Sequence, residues 1–341
     1  MILTNLYPEH IEAHGGFENY KAAKLGLFEY VSKSQRKRLR NWKSLDVSSS
    51  RTLEIGNFGN TVPKMAIVNG DSEYAKEFLQ FNFDRAILFG RNKKEFPNFQ
   101  FPTFDSSSRR EISNFIVEQP KANATGLHFV LNNIRYDAPM YGEHNVMNIL
   151  CAVSVCRILK IEWDVIQRAV ATLRNAPGRT EFIPEAEQFC FKVIVDYAFE
   201  PKAIAALYSV VELLKPKRVI HVFGSTGGGR DVVRRFTVGE YVGKHADICI
   251  ITDEDPYDDD QKKIIDDVAS AVAKTGKVEG NNLFKILDRR EAIQRAIQMA
   301  EVGDLVLVTG KGSEQAMCVA GGKKIPWDDR EVVRKMIMCY K

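Results

Sequence analysis

Four glycines stand among the six residues from Gly224 to Gly229, between the run Arg218–Phe223 and a segment carrying Arg230, Asp231, Arg234 and Arg235. A β-branched and aromatic run, then glycines, then helix-patterned residues describes a strand feeding a helix. Backbone N–H groups lie unpaired at such a helix start, where they and the helix dipole attract anions. Gly227, Gly228 and Gly229 would let that backbone approach a ligand closely. Two nucleotide signatures do not fit. Gly224 and Gly229 have the spacing of a phosphate-binding loop, but Arg230 and Asp231 follow where Lys and Ser or Thr are required, and G-x-G-x-x-G does not register. On this stretch alone, a glycine-rich turn that holds no ligand remains the alternative.

Other residues have types suited to chemistry. His10 and His14, with Glu9, could supply metal ligands from a loop, or could simply pack and cap. Asn145 and Asn148 stand three apart near the start of a helix, so they share a face and could cap it or present amides to a base-like ligand. Asp253-Glu-Asp-Pro-Tyr-Asp-Asp-Asp260 is acidic, yet an EF-hand begun at Asp253 would place Asp258 where Gly is needed and Ile264 where Glu is needed. Gly310-Lys-Gly-Ser-Glu314 resembles a phosphate loop only loosely and reads equally as a strand-to-helix turn.

The elements that would position these groups follow from the pattern. Strands are expected at Met65–Asp71, Ala86–Gly90 and Gly126–Leu131, and helices at the second half of Pro8–Phe28, from Glu73 with Ser72 as cap, from Tyr141 through Arg157, and over Trp163–Leu173. Met1–Leu6 reads as the end of a strand running into a loop, an unusual place for a domain to start. Arg91–Asp105 reads as loop, and the basic run Arg36, Lys37, Arg38 and Arg40 as a solvated face. Asn175-Ala-Pro-Gly178 marks a domain boundary. Beyond it strands at Phe191–Asp196, Val219–Phe223, Asp247–Thr252 and Asp304–Thr309 alternate with helices at Pro201–Leu214, Arg230–Lys244, Gln261–Lys274 and Asp288–Ala300. Alternation argues a parallel sheet covered on both faces, hence an α/β protein. Asp196, Gly224, Thr252 and Gly310 then lie at carboxyl ends of strands, the edge where such sheets bind ligands.

A chain of 341 residues can hold two domains with ordinary cores. Hydrophobic content of 45% and a net charge of +4 describe a globular protein with no compositional case for nucleic-acid or membrane binding. Six scattered cysteines without a C-x-x-C pair read as buried free thiols in a reducing compartment, and no run could span a bilayer, so the cytoplasm is the expected location.

The ordered set of motifs is more specific than any one of them. Thr4-Asn-Leu-x-Pro-Glu-His10, Tyr20-x-Ala-Ala-Lys24, Gly142-x-His-Asn-x-x-Asn148, Gly178-Arg-Thr-Glu181, Asp196-Tyr-Ala198, the Gly224–Asp231 turn, Asp288-Arg-Arg-Glu-Ala-Ile293 and Gly310-Lys-Gly-x-Glu314 resemble the Mur ligases, in their family order, from Thr4 to about Arg330. The match is to the MurE type, which adds a diamino acid to UDP-N-acetylmuramoyl-dipeptide in peptidoglycan synthesis. The resemblance implies the second half of a central ATPase domain over 1–177 and a Rossmann-like parallel-sheet C-terminal domain over 178–341. It implies an ATP-dependent acid–amino acid ligase with ATP and Mg2+ as cofactors, working through an acyl phosphate, with magnesium neutralising phosphate charge. By resemblance His10 would be a magnesium ligand and Lys24 the lysine that the family carbamylates. Asn145 and Asn148 would face adenine, Arg179 the phosphates and Asp196 the nucleotide. Arg230, Asp255, Tyr257, Gly310 and Glu314 would surround the incoming amino acid, with Arg230 on its carboxylate.

Departures from the family pattern carry expectations of their own. Members that use meso-diaminopimelate typically carry Asp-Asn-Pro-Arg where this chain has Glu254-Asp-Pro-Tyr257, so the arginine for a second carboxylate is missing and another amino acid, such as lysine, is expected. Phe199, Glu200 and Ser313 also depart from usual family residues. Neither the UDP-sugar domain nor the G-x-x-G-K-T/S loop precedes Thr4, so the chain reads as a fragment, inactive alone, whose missing N-terminal half would be a partner. Two other readings are a non-catalytic amino-acid-binding module and a ligase of folylpolyglutamate or cyanophycin synthetase type.

Overall fold

The computed structural model describes residues 1–7, 14–37, 62–91, 111–229 and 232–340. It divides into two compact units, Met1–Leu173 and Arg174–Lys341.

In the first unit the elements run β1 (Ile2–Leu3), α1 (Phe17–Lys33), β2 (Met65–Asn69), α2 (Ala75–Leu79), β3 (Arg85–Gly90), β4 (Glu111–Asn123), β5 (Gly126–Leu131), β6 (Ile134–Ala138), α3 (Asn145–Ile158) and α4 (Trp163–Val170). They build one sheet in the order β1-β2-β3-β4-β5-β6, parallel from β1 to β4 and antiparallel from β4 to β6. Alternation along β2 and β3 explains its two faces: Ala66, Val68, Ala86 and Leu88 point to a core with Phe28 and Phe78, while Ile67, Ile87 and Phe89 point to one with Val146, Ile149 and Leu150 of α3. The β5–β6 hairpin turns on Asn132 and Asn133, at φ 51 and 58. Positive φ at both central residues matches the right-handed twist of the strands, and asparagine tolerates it. That signal marks a hairpin the sequence reading passed over, since it placed only β5 here. Ser72 does not cap α2, which starts at Ala75, two residues later than expected, with Tyr74 as its N-cap; the serine hydroxyl instead accepts from the Tyr74 N–H at 3.4 Å.

In the second unit follow β7 (Glu181–Phe182), β8 (Lys192–Asp196), α5 (Pro201–Leu214), β9 (Val219–Phe223), α6 (Val233–His245), β10 (Ile248–Ile251), α7 (Gln261–Ala273), β11 (Leu283–Lys285), α8 (Arg289–Met299), β12 (Leu305–Thr309), β13 (Ala316–Val319), β14 (Lys323–Pro326) and α9 (Asp329–Met338). The sheet order is β11-β10-β9-β12-β8-β7, with β11 through β8 parallel and β7 antiparallel at one edge. The chain lays β8, skips a position, builds outward through β11, and returns to insert β12 between β8 and β9. Helices α5, α6 and α7 cover one face through Leu207, Val242 and Val268; α8 and α9 cover the other through Ile293, Ile297 and Val333. Strands buried on both faces have near-continuous apolar sequences, as Leu305-Val-Leu-Val308 shows. Each such side chain, fully withdrawn from water, contributes roughly 1.5–3 kcal/mol before entropy is charged against it. Aspartates start three helices: Asp260, Asp288 and Asp328 accept from N–H groups in the first turns of α7, α8 and α9.

The expected α/β architecture with parallel sheets is present, although the first unit's sheet is mixed. Of the six cysteines only Cys151 and Cys249 are buried; Cys190 and Cys339 are exposed, which corrects the expectation of buried thiols throughout. An apolar neighbourhood in sequence does not bury a residue at a helix exit or in the left-handed turn where Cys190 sits, at φ 61. No helix among the described residues is long and apolar enough to cross a membrane.

Candidate functional site

The carboxyl ends of β8, β9, β10 and β12 come together in the second unit around a cleft of about 330 Å3. This is where the chain order reverses, the place an open α/β sheet leaves a crevice because neighbouring connections depart to opposite faces. Tyr197 and Phe199 enter it from the exit of β8, Glu254, Asp255 and Tyr257 from the exit of β10, and Gly310 and Glu314 from the exit of β12. The β13–β14 hairpin closes one side with Cys318 and Lys324, and Arg234 reaches in from the first turn of α6.

The glycine-rich turn is packed against the acidic loop. A Cβ on Gly227 would lie 2.2 Å from the Pro256 carbonyl oxygen, and the Gly227 N–H donates to the Asp255 carbonyl at 2.8 Å. Close backbone approach, the reason for glycine here, is thus used by residues 255–256 of the chain itself. Gly310, at φ +107, faces Glu254 in the same way, with a Cβ position 2.3 Å from the Glu254 Oε2.

A buried charge network floors the cleft. Lys311, 1% exposed, donates at 2.8 Å to both carboxylate oxygens of Asp255 and also bonds Glu314. Asp255 accepts a further bond from the Cys318 N–H at 2.7 Å, and Glu314 accepts from the Tyr197 hydroxyl at 2.9 Å. Burial opposes the charge on Lys311, but its bonds to Asp255 and Glu314 outweigh this and raise its pKa. Burial, reinforced by the bond to Glu314, pushes the Tyr197 hydroxyl up to about 12. Glu254 is different. It is 2% exposed, no donor among the described residues bonds its carboxylate, and burial pushes its pKa up to about 7 against the pull of Arg289 and Arg234. The cleft therefore offers acidic groups of which one changes charge near neutrality, a setting for a cationic amine.

The residues singled out from sequence are distributed over both units. Asp255, Tyr257, Gly310 and Glu314 meet at the cleft. Arg179, exposed, lies with its guanidinium 4.2 Å from the centre of the Tyr197 ring at the cleft edge. Asp196 is committed locally: one oxygen accepts from the Ala198 N–H at 2.6 Å, the other from the Thr180 N–H and hydroxyl. In the first unit Asn145 donates to the Tyr141 carbonyl at 2.7 Å and accepts from Asn148 at 2.9 Å, so the two amides bond each other on one helix face. Lys24 is exposed on α1, its ammonium 5.3 Å from the Tyr20 ring centre. His10 and Arg230 lie outside the described residues. Among the described residues no three His, Cys, Asp or Glu side chains come together as a metal site. Sequence reasoning missed Lys311, Glu254, Tyr197 and Arg234. Lys311 and Glu314, three apart, gave a weak pairing signal; nothing in the sequence marks a lysine as buried.

Comparison with known proteins places these units. The model of the Mur ligase glutamate ligase domain matches residues 178–312, and that of the Mur ligase middle domain matches residues 1–42. UDP-N-acetylmuramyl-tripeptide synthetase of Borreliella burgdorferi is 31% identical over 99% of this chain and 57% of its own length. The UDP-N-acetylmuramoyl-L-alanyl-D-glutamate--2,6-diaminopimelate ligase of Syntrophomonas wolfei is 29% identical over 98% of this chain and 59% of its own. The fold is similar to the solved UDP-N-acetylmuramate-alanine ligase of Thermotoga maritima, with TM-score 0.60 and 16% identity over 99% of this chain and 58% of that one. The chain thus spans somewhat over half the length of the curated relatives it matches.

Proposed function

Since this chain belongs to the Mur ligase family, we propose that it forms part of an ATP-dependent amide ligase of peptidoglycan synthesis, and that the cleft of its second unit receives the incoming amino acid. Residues 1–177 are assigned to the central ATPase part and 178–341 to the C-terminal part, supported by the family matches within each.

The reaction assigned to the family needs two transfers. The γ-phosphoryl of ATP passes to a carboxylate of the UDP-N-acetylmuramoyl-peptide, releasing ADP; the amine of the amino acid, having lost a proton, then attacks the acyl carbon and phosphate leaves. A bound magnesium ion would neutralise phosphate charge in both. Its proposed holders are His10 and the carbamate of Lys24. Lys24 fits that chemistry, because it is exposed and no carboxylate among the described residues bonds it, leaving the amine open to carbon dioxide. Asn145 and Asn148 are assigned to adenine, and Arg179 and Asp196 to the nucleotide. Arg230 is assigned to the α-carboxylate of the amino acid, as a bidentate guanidinium suits.

The observation that carries the reading is the acidic cleft at the strand ends, with Tyr257 standing where diaminopimelate-using members typically carry arginine. A second carboxylate would meet Glu254, Asp255 and Glu314; of the cations near them Lys311 is engaged by Asp255 and Glu314 and Arg234 by Glu200, which leaves Lys324 of the β13–β14 hairpin to face it, whereas a side-chain ammonium would be attracted to the three acids. The amino acid is therefore a basic one such as lysine. Titration calorimetry of the full chain with lysine and with meso-diaminopimelate tests this. At least tenfold weaker binding of meso-diaminopimelate is expected, a difference of about 1.4 kcal/mol, and equal or tighter binding overturns the assignment.

A further inference from the structure

Glu254 is held in place from behind the cleft. It stands just beyond β10, and its carboxylate lies against the bare Cα of Gly310, just beyond β12. One side chain ties these two exits together. Arg289 of α8, 2% exposed and outside the cleft lining, donates from Nη1 to the Asp253 carbonyl at 3.2 Å and from Nη2 to the Thr309 carbonyl at 2.7 Å. Arg289 is in turn clamped by Asp329, Nε to Oδ1 and Nη2 to Oδ2, both at 2.8 Å. Asp329, 0% exposed, opens α9 and takes a further bond from the Trp327 indole N–H at 2.8 Å.

We propose that Arg289 is a positioning residue for the cleft: it fixes Glu254 against Gly310 by bridging the Asp253 and Thr309 carbonyls, and through Asp329 and Trp327 it makes that spacing depend on the docking of α9. A buried ion pair adds little net stability over well-packed apolar side chains of similar volume. What apolar side chains cannot supply is a donor to each of two strand exits at once. A planar guanidinium can serve both while keeping a bidentate contact to a carboxylate; a lysine ammonium, a point charge with three donors, cannot hold that fork.

Arg289 also contributes charge. The groups facing Glu254 are Arg289 from α8, Arg234 from α6, Lys311 from the turn after β12, Asp255 and Asp253 on its own loop, and Tyr197 beyond β8. Arg289 is the first of the charges that pull the Glu254 pKa down against burial. Two readouts therefore follow, one geometric and one electrostatic. The inference uses the amino-acid reading only to say what the cleft receives; the positioning itself is independent of it.

The test uses the full chain, with carbon-13 detection of the Glu254 carboxyl, assigned through Glu254→Gln, and the Gly310 amide as reporter of geometry. In the double variant Arg289→Met/Asp329→Leu, which keeps the volume and removes both charges together, the Glu254 midpoint should rise by roughly half a pH unit or more and the Gly310 amide should shift. In Trp327→Phe, which deletes one donor to Asp329, the Gly310 amide should shift while the Glu254 midpoint stays. A folded double variant with the Glu254 midpoint and the Gly310 amide both unmoved overturns the proposal. Should that variant not fold, Arg289→Lys decides: the charge is kept, so the midpoint should hold, and an unshifted Gly310 amide overturns the proposal. Lysine affinity is measured alongside. Absence of lysine binding to the parent chain, with these shifts present, would count against the amino-acid reading and leave Arg289 as the positioning residue.

Discussion

At the scale of single residues the second unit carries two buried groups whose titrations oppose each other. His221 lies wholly buried between the Tyr208 hydroxyl at 3.0 Å and the Thr309 hydroxyl at 2.9 Å, and burial pushes its pKa from 6.5 to about 3. The unfolded chain therefore binds a proton that the folded chain does not, and stability falls as pH drops from about 6.5 towards 3. Glu254 acts in the other sense. Its folded pKa is raised from 4.5 to about 7, so the folded chain binds the extra proton and stability rises as pH drops from about 7 to 4.5. Glu254→Gln removes only the second effect. Urea unfolding between pH 7.5 and 5 should show a steeper acid-side loss in Glu254→Gln than in the parent, with the variant more stable at pH 7.5 by on the order of 2 kcal/mol. A variant with the parent's slope would show that Glu254 ionises normally in its pocket.

At the scale of elements, three of the second unit's helices, α7, α8 and α9, start at aspartate caps. Asp260 accepts from the N–H groups of Lys262 and Lys263 at the start of α7, satisfying donors that have no partner inside the helix. Helix α7 buries Ile265, Val268, Ala269 and Val272 in the core on the sheet, so its start angle matters there. Asp260→Ala should cost about 1 kcal/mol in urea unfolding, while Asp260→Asn, which keeps the acceptor, should cost less than half of that. An equal loss in both would place the effect in charge rather than in capping. The β-elements were harder to read than the helices. Periodicity placed α5 at its observed limits, Pro201–Leu214, because an apolar face repeating at helical spacing is visible in sequence. It missed β4, whose register shifts between Glu118 and Lys121 around Pro120, because a bulge breaks the alternation by which a strand is recognised. It also missed the β13–β14 hairpin and α9, which are short and stabilised by what they pack on.

At the scale of the whole molecule, the chain forms two units that each own a core. The unit from Arg174 to Lys341 has apolar layers on both faces of its sheet and holds all the lining residues of the cleft within itself. A polypeptide of residues 174–341 is therefore expected to fold cooperatively alone and to bind lysine within threefold of the full chain's affinity by calorimetry. Loss of binding by a folded fragment would mean that the cleft needs groups from outside this unit. The alternation of strands with helices, the glycine turn after β9 and the motif order from Thr4 to Arg330 made the α/β class and the family legible from the chain, because these signals are local and periodic. Where the candidate site residues meet was not legible. Asp255 and Lys311 are 56 positions apart and Arg289 and Asp329 are 40 apart, and neither pairing leaves any periodic trace. Whether a glycine admits a ligand or the chain's own backbone, as at Gly227, and whether an acid is paired like Asp255 or left without a donor among the described residues like Glu254, depends on which strand exits become neighbours. That adjacency comes from inserting β12 between β8 and β9, and burial then turns ordinary residue types into groups with altered proton affinity.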